Sequence, residues 1–211
     1  MATNRNILIT AGPTWVAIDN TRVISNIATG ETGLILAEKL KRIGAKVTLL
    51  LGPGNFYKNK PKVKIISFKY FSELKQILTR ELKKRKYAAI IHAAAVADYR
   101  PKKEIQHKVC SRLSNWKINL VPTNKLIDCF KTYDPKLIVV GFKYEPDALD
   151  DRLIKKGREL LKRASLDLVV ANSYKKGCYR AFILDNTGKS GPFSSKTTMT
   201  DILSKLVINT L

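Results

Sequence analysis

The stretch Ile7-Leu8-Ile9-Thr10-Ala11-Gly12-Pro13-Thr14 sets a short apolar run directly before a glycine–proline turn. Such a run, uninterrupted by polar residues, reads as a strand covered on both faces. Working outward, Glu31–Ile43 reads as a helix with Leu36, Leu40 and Ile43 on one face, ended by Gly44. Lys46–Leu51 and Lys64–Phe68 read as further strands. Ser72 reads as the N-cap of a helix carrying Leu74, Ile77, Leu78 and Leu82. Ala88–Val96 is a fourth strand, and Leu137–Phe142 and Leu166–Ala171 are two more, joined by a helix over Asp147–Arg163. Ala181–Leu184 reads as an edge strand and Met199–Val207 as a closing helix. The alternation predicts an α/β fold with a doubly wound, mainly parallel sheet and helices on both faces. With 211 residues, no second composition regime and no internal repeat, residues 1–211 read as one domain.

Composition narrows the function classes. No apolar run approaches the roughly 20 residues that span a bilayer, and Ile7–Ile9 is too brief for a signal peptide, so the chain reads as cytoplasmic. Cys110, Cys129 and Cys178 are odd in number and widely spaced, which supports neither disulfides nor a zinc site. The formal net charge of +22 suggests phosphate-bearing partners. The basic clusters, among them Lys58–Lys64, Lys83–Lys86 and Lys155–Arg163, are dispersed, and few aromatics interleave with them. Nucleic-acid binding is therefore not expected, and the charge reads as a solvated surface that attracts anionic substrates.

In doubly wound folds, ligands bind beyond the carboxyl ends of the strands. The first such connection runs from Gly12 to Gly33 and is too long for the tight GxGxxG turn, which disfavours a plain NAD enzyme. It carries Asp19, Arg22, Ser25, Asn26 and then Thr29-Gly30-Glu31-Thr32-Gly33. Gly30 and Gly33 at a helix head suit either an anion approaching backbone N–H groups or helix packing. Ala93-Ala94-Ala95 leaves room for a ring or phosphate against the backbone, and Asp98 beyond it offers an acceptor. His92 reads as a core histidine.

The segments Ile7–Thr14, Ile18–Asn26, Thr29–Gly33 and Ala93–Pro101 together resemble the phosphopantothenate–cysteine ligase family. Gly141-Phe142, Asp167 and Ala171-Asn172 match further landmarks in order. The likeness runs from about Ile7 to Leu206 and is to the stand-alone form, without the flavin-dependent decarboxylase domain. It implies a Rossmann-like fold and a homodimer. It also implies a reaction in which 4′-phosphopantothenate, activated by CTP or ATP as an acyl-nucleotide, is joined to L-cysteine. CTP is the expected nucleotide, Mg²⁺ accompanies the triphosphate, and no flavin or dedicated metal site is expected.

The resemblance also assigns residues. Asn26 would hold the acyl-nucleotide carbonyl, and Arg22 would serve the same late step. Lys108 would screen the triphosphate, although the family's Lys-x-Lys-Lys run reads Lys108-Val109-Cys110-Ser111 here. Leu113–Asn119 would belong to a flap that contacts the dimer partner. Gly12, Thr14, Gly30, Gly33, Ala93, Ala94, Ala95 and Asp98 would line the nucleotide site. Val121, Pro122, Thr123 and Asn124 would close it, and Phe142 would lie by the base or sugar. Lys162 and Arg163 would bind phosphates, while the position matched by Glu159 or Leu160 has lost a family lysine. A nucleotide-binding homologue without turnover and a basic nucleic-acid-binding module are the other readings.

Overall fold

A computed structural model describes residues 4–54 and 60–211; Lys58 of the Lys58–Lys64 cluster lies outside them. The chain opens with β1 (Asn6–Ala11), a small hairpin of β2 (Trp15–Ala17) and β3 (Val23–Ser25), α1 (Glu31–Arg42), β4 (Lys46–Leu51), β5 (Lys64–Ser67) and α2 (Phe71–Lys83). It continues with β6 (Ala89–His92), β7 (Tyr99–Pro101), β8 (Leu120–Pro122), a 3₁₀ turn at Leu126–Cys129 and the short α3 (Phe130–Tyr133). It ends with β9 (Ile138–Tyr144), α4 (Asp150–Arg163), β10 (Leu168–Lys175), β11 (Cys178–Leu184), β12 (Lys189–Phe193) and α5 (Lys196–Thr210).

Eight strands form one sheet in the order β12-β11-β10-β9-β6-β1-β4-β5. The six from β10 to β5 are parallel, and β11 and β12 add antiparallel pairs at one edge. Alternation along β1 divides the core. Ile7 and Ile9 face α1 and α5 with Leu36, Leu40, Met199 and Leu203, whereas Leu8 faces Leu74, Leu78, Phe130 and Leu161 on the other side. A strand packed on both faces has no place for a polar row, which is why these segments read as continuous apolar runs.

The chain moves from β1 to β4 and β5 on one side, then returns to β6 on the other. The topological switch therefore lies between β1 and β6, and the crevice at their carboxyl ends is where such a fold binds ligands.

Four expectations change. Ser72 lies inside the first turn of α2; Tyr70 precedes that helix, and the Glu73 carboxylate accepts from the Lys69 and Tyr70 N–H groups at 2.6 and 3.2 Å. The fourth strand stops at His92, because Ala93–Ala95 turn away to bond the β1 loop. The helix expected from Asp147 begins at Asp150. Finally, β11 is not an edge strand, since β12 covers it.

Candidate functional site

Three backbone segments meet at the switch point. The Ala95 N–H donates to the Gly12 carbonyl at 2.9 Å, and the Thr14 N–H returns a bond to the Ala95 carbonyl at 3.3 Å. Gly12 and Gly30 both adopt positive φ, at 83° and 79°, a region open to glycine without a Cβ clash. A Cβ at Gly12 would lie 3.1 Å from the Gly52 backbone, and one at Gly30 would lie 3.1 Å from the Gly12 nitrogen. The floor of the crevice is thus main chain. Gly33 has a different duty. A Cβ there would meet the Ala11 side chain at 2.3 Å, so this buried glycine lets α1 pack onto β1.

Thr14 and Thr123 fasten the wall. The buried Thr14 hydroxyl accepts from the Ala97 N–H at 2.9 Å, and the Thr123 hydroxyl donates to the Ala97 carbonyl at 2.5 Å. The Thr123 N–H bonds the Asp98 carbonyl at 2.9 Å, which sets the Val121-Pro122-Thr123-Asn124 turn beside Asp98. The Asp98 carboxylate is exposed and pairs with Lys125, a cation the sequence reading did not single out. His92 pairs with Gly141 across β6 and β9, so Phe142 is the first residue of β9 beyond the end of β6.

Below this platform His92 is buried. Its Nδ1 lies 2.8 Å from the Thr10 hydroxyl, which also accepts from the Ala94 N–H at 3.2 Å, and its ring meets Phe130 edge-on at 5.1 Å. Burial lowers its pKa to about 4, so the imidazole is neutral near pH 7. The core reading of His92 holds, with the addition that it supports the Ala94 backbone through Thr10.

Asn26 follows β3, and its side-chain amide donates to the Ala95 and Val96 carbonyls at 3.3 and 3.2 Å. Its N–H groups thus tie the β2–β3 hairpin to the platform. Arg22, on the same hairpin, donates to the Asp19 carboxylate at 2.5 Å and to the Val109 carbonyl at 3.2 Å. Its guanidinium also stacks over the Trp116 ring at 5.1 Å. Lys108 adjoins Val109 and is exposed. Asp19 is the residue the sequence reading left without a role. It is buried beneath the hairpin, and although burial opposes its charge, hydrogen bonds from Thr21, Val109 and Arg22 hold its carboxyl well below the usual range.

Lys162 and Arg163 are not brought to this crevice. They form the last turn of α4, close to where Asp167 bonds Val139 at the amino end of β9. Arg163 instead grips Asp128 at 2.5 and 2.6 Å. An open groove of about 790 Å³ lies elsewhere, along α2, lined among others by Phe71, Lys75, Arg80, Lys83 and Arg100. It holds none of the residues assigned above. Among the described residues no cluster of three or more His, Cys, Asp or Glu side chains is arranged to hold a metal.

Fold and site define a doubly wound α/β protein with a main-chain-lined crevice at its switch point, the place where such folds bind their ligands. The signature of the DNA/pantothenate metabolism flavoprotein C-terminal domain matches residues 2–209, and the chain belongs to that family. A coenzyme A biosynthesis bifunctional protein, CoaBC, from Thermococcus kodakarensis is 36% identical over 174 residues, 81% of this chain and 42% of that protein. The Borreliella burgdorferi CoaBC is 37% identical over 175 residues, 82% of this chain and 43% of its own length. The chain thus spans less than half of these relatives. Among solved structures, the Streptococcus pneumoniae DNA/pantothenate metabolism flavoprotein superposes with a TM-score of 0.86 at 25% identity, covering 97% of this chain and 99% of that one. The C-terminal domain of a CoaBC protein (TM-score 0.76, 23% identity, 97% and 95% covered) shares the fold.

Proposed function

We propose that this chain is a phosphopantothenate–cysteine ligase domain acting in coenzyme A biosynthesis. The observation that carries the reading is the crevice between β1 and β6, where Gly12, Gly30, Ala95 and Asn26 meet, in a chain of this family. Two relatives named for coenzyme A biosynthesis add support.

A carboxylate is a poor acylating agent. In the proposed first half-step, the 4′-phosphopantothenate carboxylate attacks the α-phosphate of CTP, in preference to ATP, and pyrophosphate leaves. In the second, the cysteine amine attacks the acyl carbon, and the nucleotide leaves with the bonding electrons while the amine loses a proton. Such chemistry needs positioning and charge screening more than a protein nucleophile. The main-chain floor at Gly12, Gly30 and Ala93–Ala95 suits the nucleotide, Asp98 and the Val121–Asn124 turn its rim, and Phe142 its base or sugar. Lys108 screens the triphosphate. Arg22 and Asn26 serve the acyl group, Asn26 by exchanging one of its platform bonds for the developing oxyanion.

The carboxylates present do not make a cage for Mg²⁺ among the described residues: Asp98 is held by Lys125 and Asp19 by its own hairpin. The ion is therefore expected to travel with the triphosphate oxygens, and no flavin is assigned to this chain. A cytoplasmic, single-domain protein suits this role; no helix among the described residues is long and apolar enough to cross a membrane. Apolar side chains exposed near the site, Val23 on β3, Ile27 beyond it, Tyr99 and Leu120 on β7 and β8 and Leu113 between those strands, are what a homodimer would have to cover. Light scattering that gives a monomer mass at micromolar concentration would remove the dimer from this reading.

The reading is tested by pyrophosphate release from purified protein with Mg²⁺ and CTP or ATP, with and without 4′-phosphopantothenate. Release that requires phosphopantothenate is expected. No release from folded protein with either nucleotide would overturn it in favour of a nucleotide binder without turnover.

A further inference from the structure

Asp19 divides its two oxygens between two tasks. Oδ1 serves its own turn, accepting from the Thr21 N–H and hydroxyl, both at 2.9 Å, and from the Arg22 N–H at 2.8 Å. Oδ2 reaches outward, accepting from Arg22 Nη1 at 2.5 Å and from the Val109 N–H at 3.1 Å. Val109 completes a ring, because its carbonyl accepts from the same Arg22 nitrogen at 3.2 Å.

The segment that carries Val109 leaves and returns at one point, where the Lys102 N–H bonds the Asn119 carbonyl at 2.8 Å. Between these ends it touches the β2–β3 hairpin three times: Ile105 N–H on the Ile18 carbonyl at 3.1 Å, Val109 on Asp19 and Arg22, and Trp116 under the Arg22 guanidinium. Lys108 is bonded directly to the residue in the ring, so the reach of its side chain is set from there.

We propose that Asp19 is a positioning residue that fixes the Arg22 hairpin and the Lys108 segment as one unit, so that a single carboxylate places the cations of both half-steps. This rests on the ligase reading above. A carboxylate is needed because both outward partners are donors, and Oδ2 must accept twice.

The division of oxygens supplies the test. In Asp19→Asn the amide oxygen keeps the Oδ1 bonds and the turn, while the amide nitrogen faces two donors and breaks the ring. Three variants, Asp19→Asn, Arg22→Gln and Lys108→Ala, are assayed for pyrophosphate release without cysteine and for amide formation with it. Asp19→Asn slows both half-steps, each by roughly tenfold to a hundredfold. Arg22→Gln, which removes two of the three ring bonds as well as the cation, slows both half-steps and the second more, whereas Lys108→Ala, which leaves the ring whole, slows the first alone. In a Trp15→Phe background, Trp116 is the sole indole; its emission shifts to the red and its quenching by acrylamide increases with Asp19→Asn.

An Asp19→Asn protein that melts like the parent but slows one half-step only, or leaves Trp116 emission unchanged, overturns the proposal. Should Asp19→Asn not fold, Val109→Pro removes the segment's donor from an irregular, half-exposed stretch and is read by the same assays and criteria. If the parent protein turns over no substrate, the ligase reading fails by itself, and Trp116 emission still decides whether Asp19 holds the two segments together.

Discussion

An aspartate at position 26 would set a carboxylate against the Ala95 and Val96 carbonyls, which now accept from the Asn26 amide at 3.3 and 3.2 Å. Asn26→Asp is expected to leave phosphopantothenate-dependent pyrophosphate release within about threefold and to lower amide formation by roughly a hundredfold or more, the usual effect of losing an oxyanion donor. Rapid-quench detection of accumulated acyl-nucleotide checks this; amide formed at the parent's rate would remove Asn26 from the second half-step. Arg22 and Asn26 were legible because each sits in a dense local motif. Asp19 was visible as a residue but not as a partner, since Val109 lies 90 residues away and only folding brings their backbones together. Lys125 escaped notice for the same reason, its partner Asp98 being 27 residues distant.

The element scale is set by helix ends as much as by helix faces. At the end of α2, the buried Glu81 accepts from Tyr87 at 2.6 Å and Lys84 at 2.5 Å and pairs with Lys86 at 3.3 Å. Burial opposes its charge, but these partners outweigh that and lower its pKa from 4.5 to about 2. A depressed carboxylate stabilises the fold fully above its unfolded pKa and loses that contribution as pH falls through its folded value. Glu81 should thus contribute on the order of 3 kcal/mol near pH 7, declining between about pH 4.5 and 2. Melting curves of the parent and Glu81→Gln should accordingly converge as the pH falls through that window; a constant gap would refute it. Central strands were readable as unbroken apolar runs, and helices wherever an apolar period of 3.6 was intact. β12 was not, because Lys189-Ser190-Gly191-Pro192-Phe193 has no apolar alternation and is largely exposed. Arg163 was read by register alone, and register along a helix says nothing about which end of the sheet its last turn reaches.

For the whole molecule, a ligase reading gives the net charge of +22 a long-range task, the attraction of phosphate-bearing substrates. Screening lengths fall from about 10 Å at 0.1 M salt to about 3 Å at 1 M. The KM for nucleotide is expected to rise severalfold between about 0.05 and 0.5 M sodium chloride, with kcat changing less, in steady-state assays at fixed Mg²⁺. A KM flat across that range would mean that only local cations matter. The fold class was legible from the alternation of strands and helices, whereas the place of the switch point, between β1 and β6, came only with the spatial order of the strands. The main-chain contacts of the floor were not legible either, for they depend on how Gly12, Gly30 and Gly52 come together. That contact also limits how the protein can change. A side chain at Gly12 would press on the Gly52 backbone and one at Gly30 on the Gly12 backbone, each at 3.1 Å and each from a positive φ that side chains rarely adopt. Divergence in nucleotide preference should accordingly accumulate in the Val121–Asn124 turn and at Phe142, while the glycines persist, and an engineer seeking a new base should begin at those rim positions.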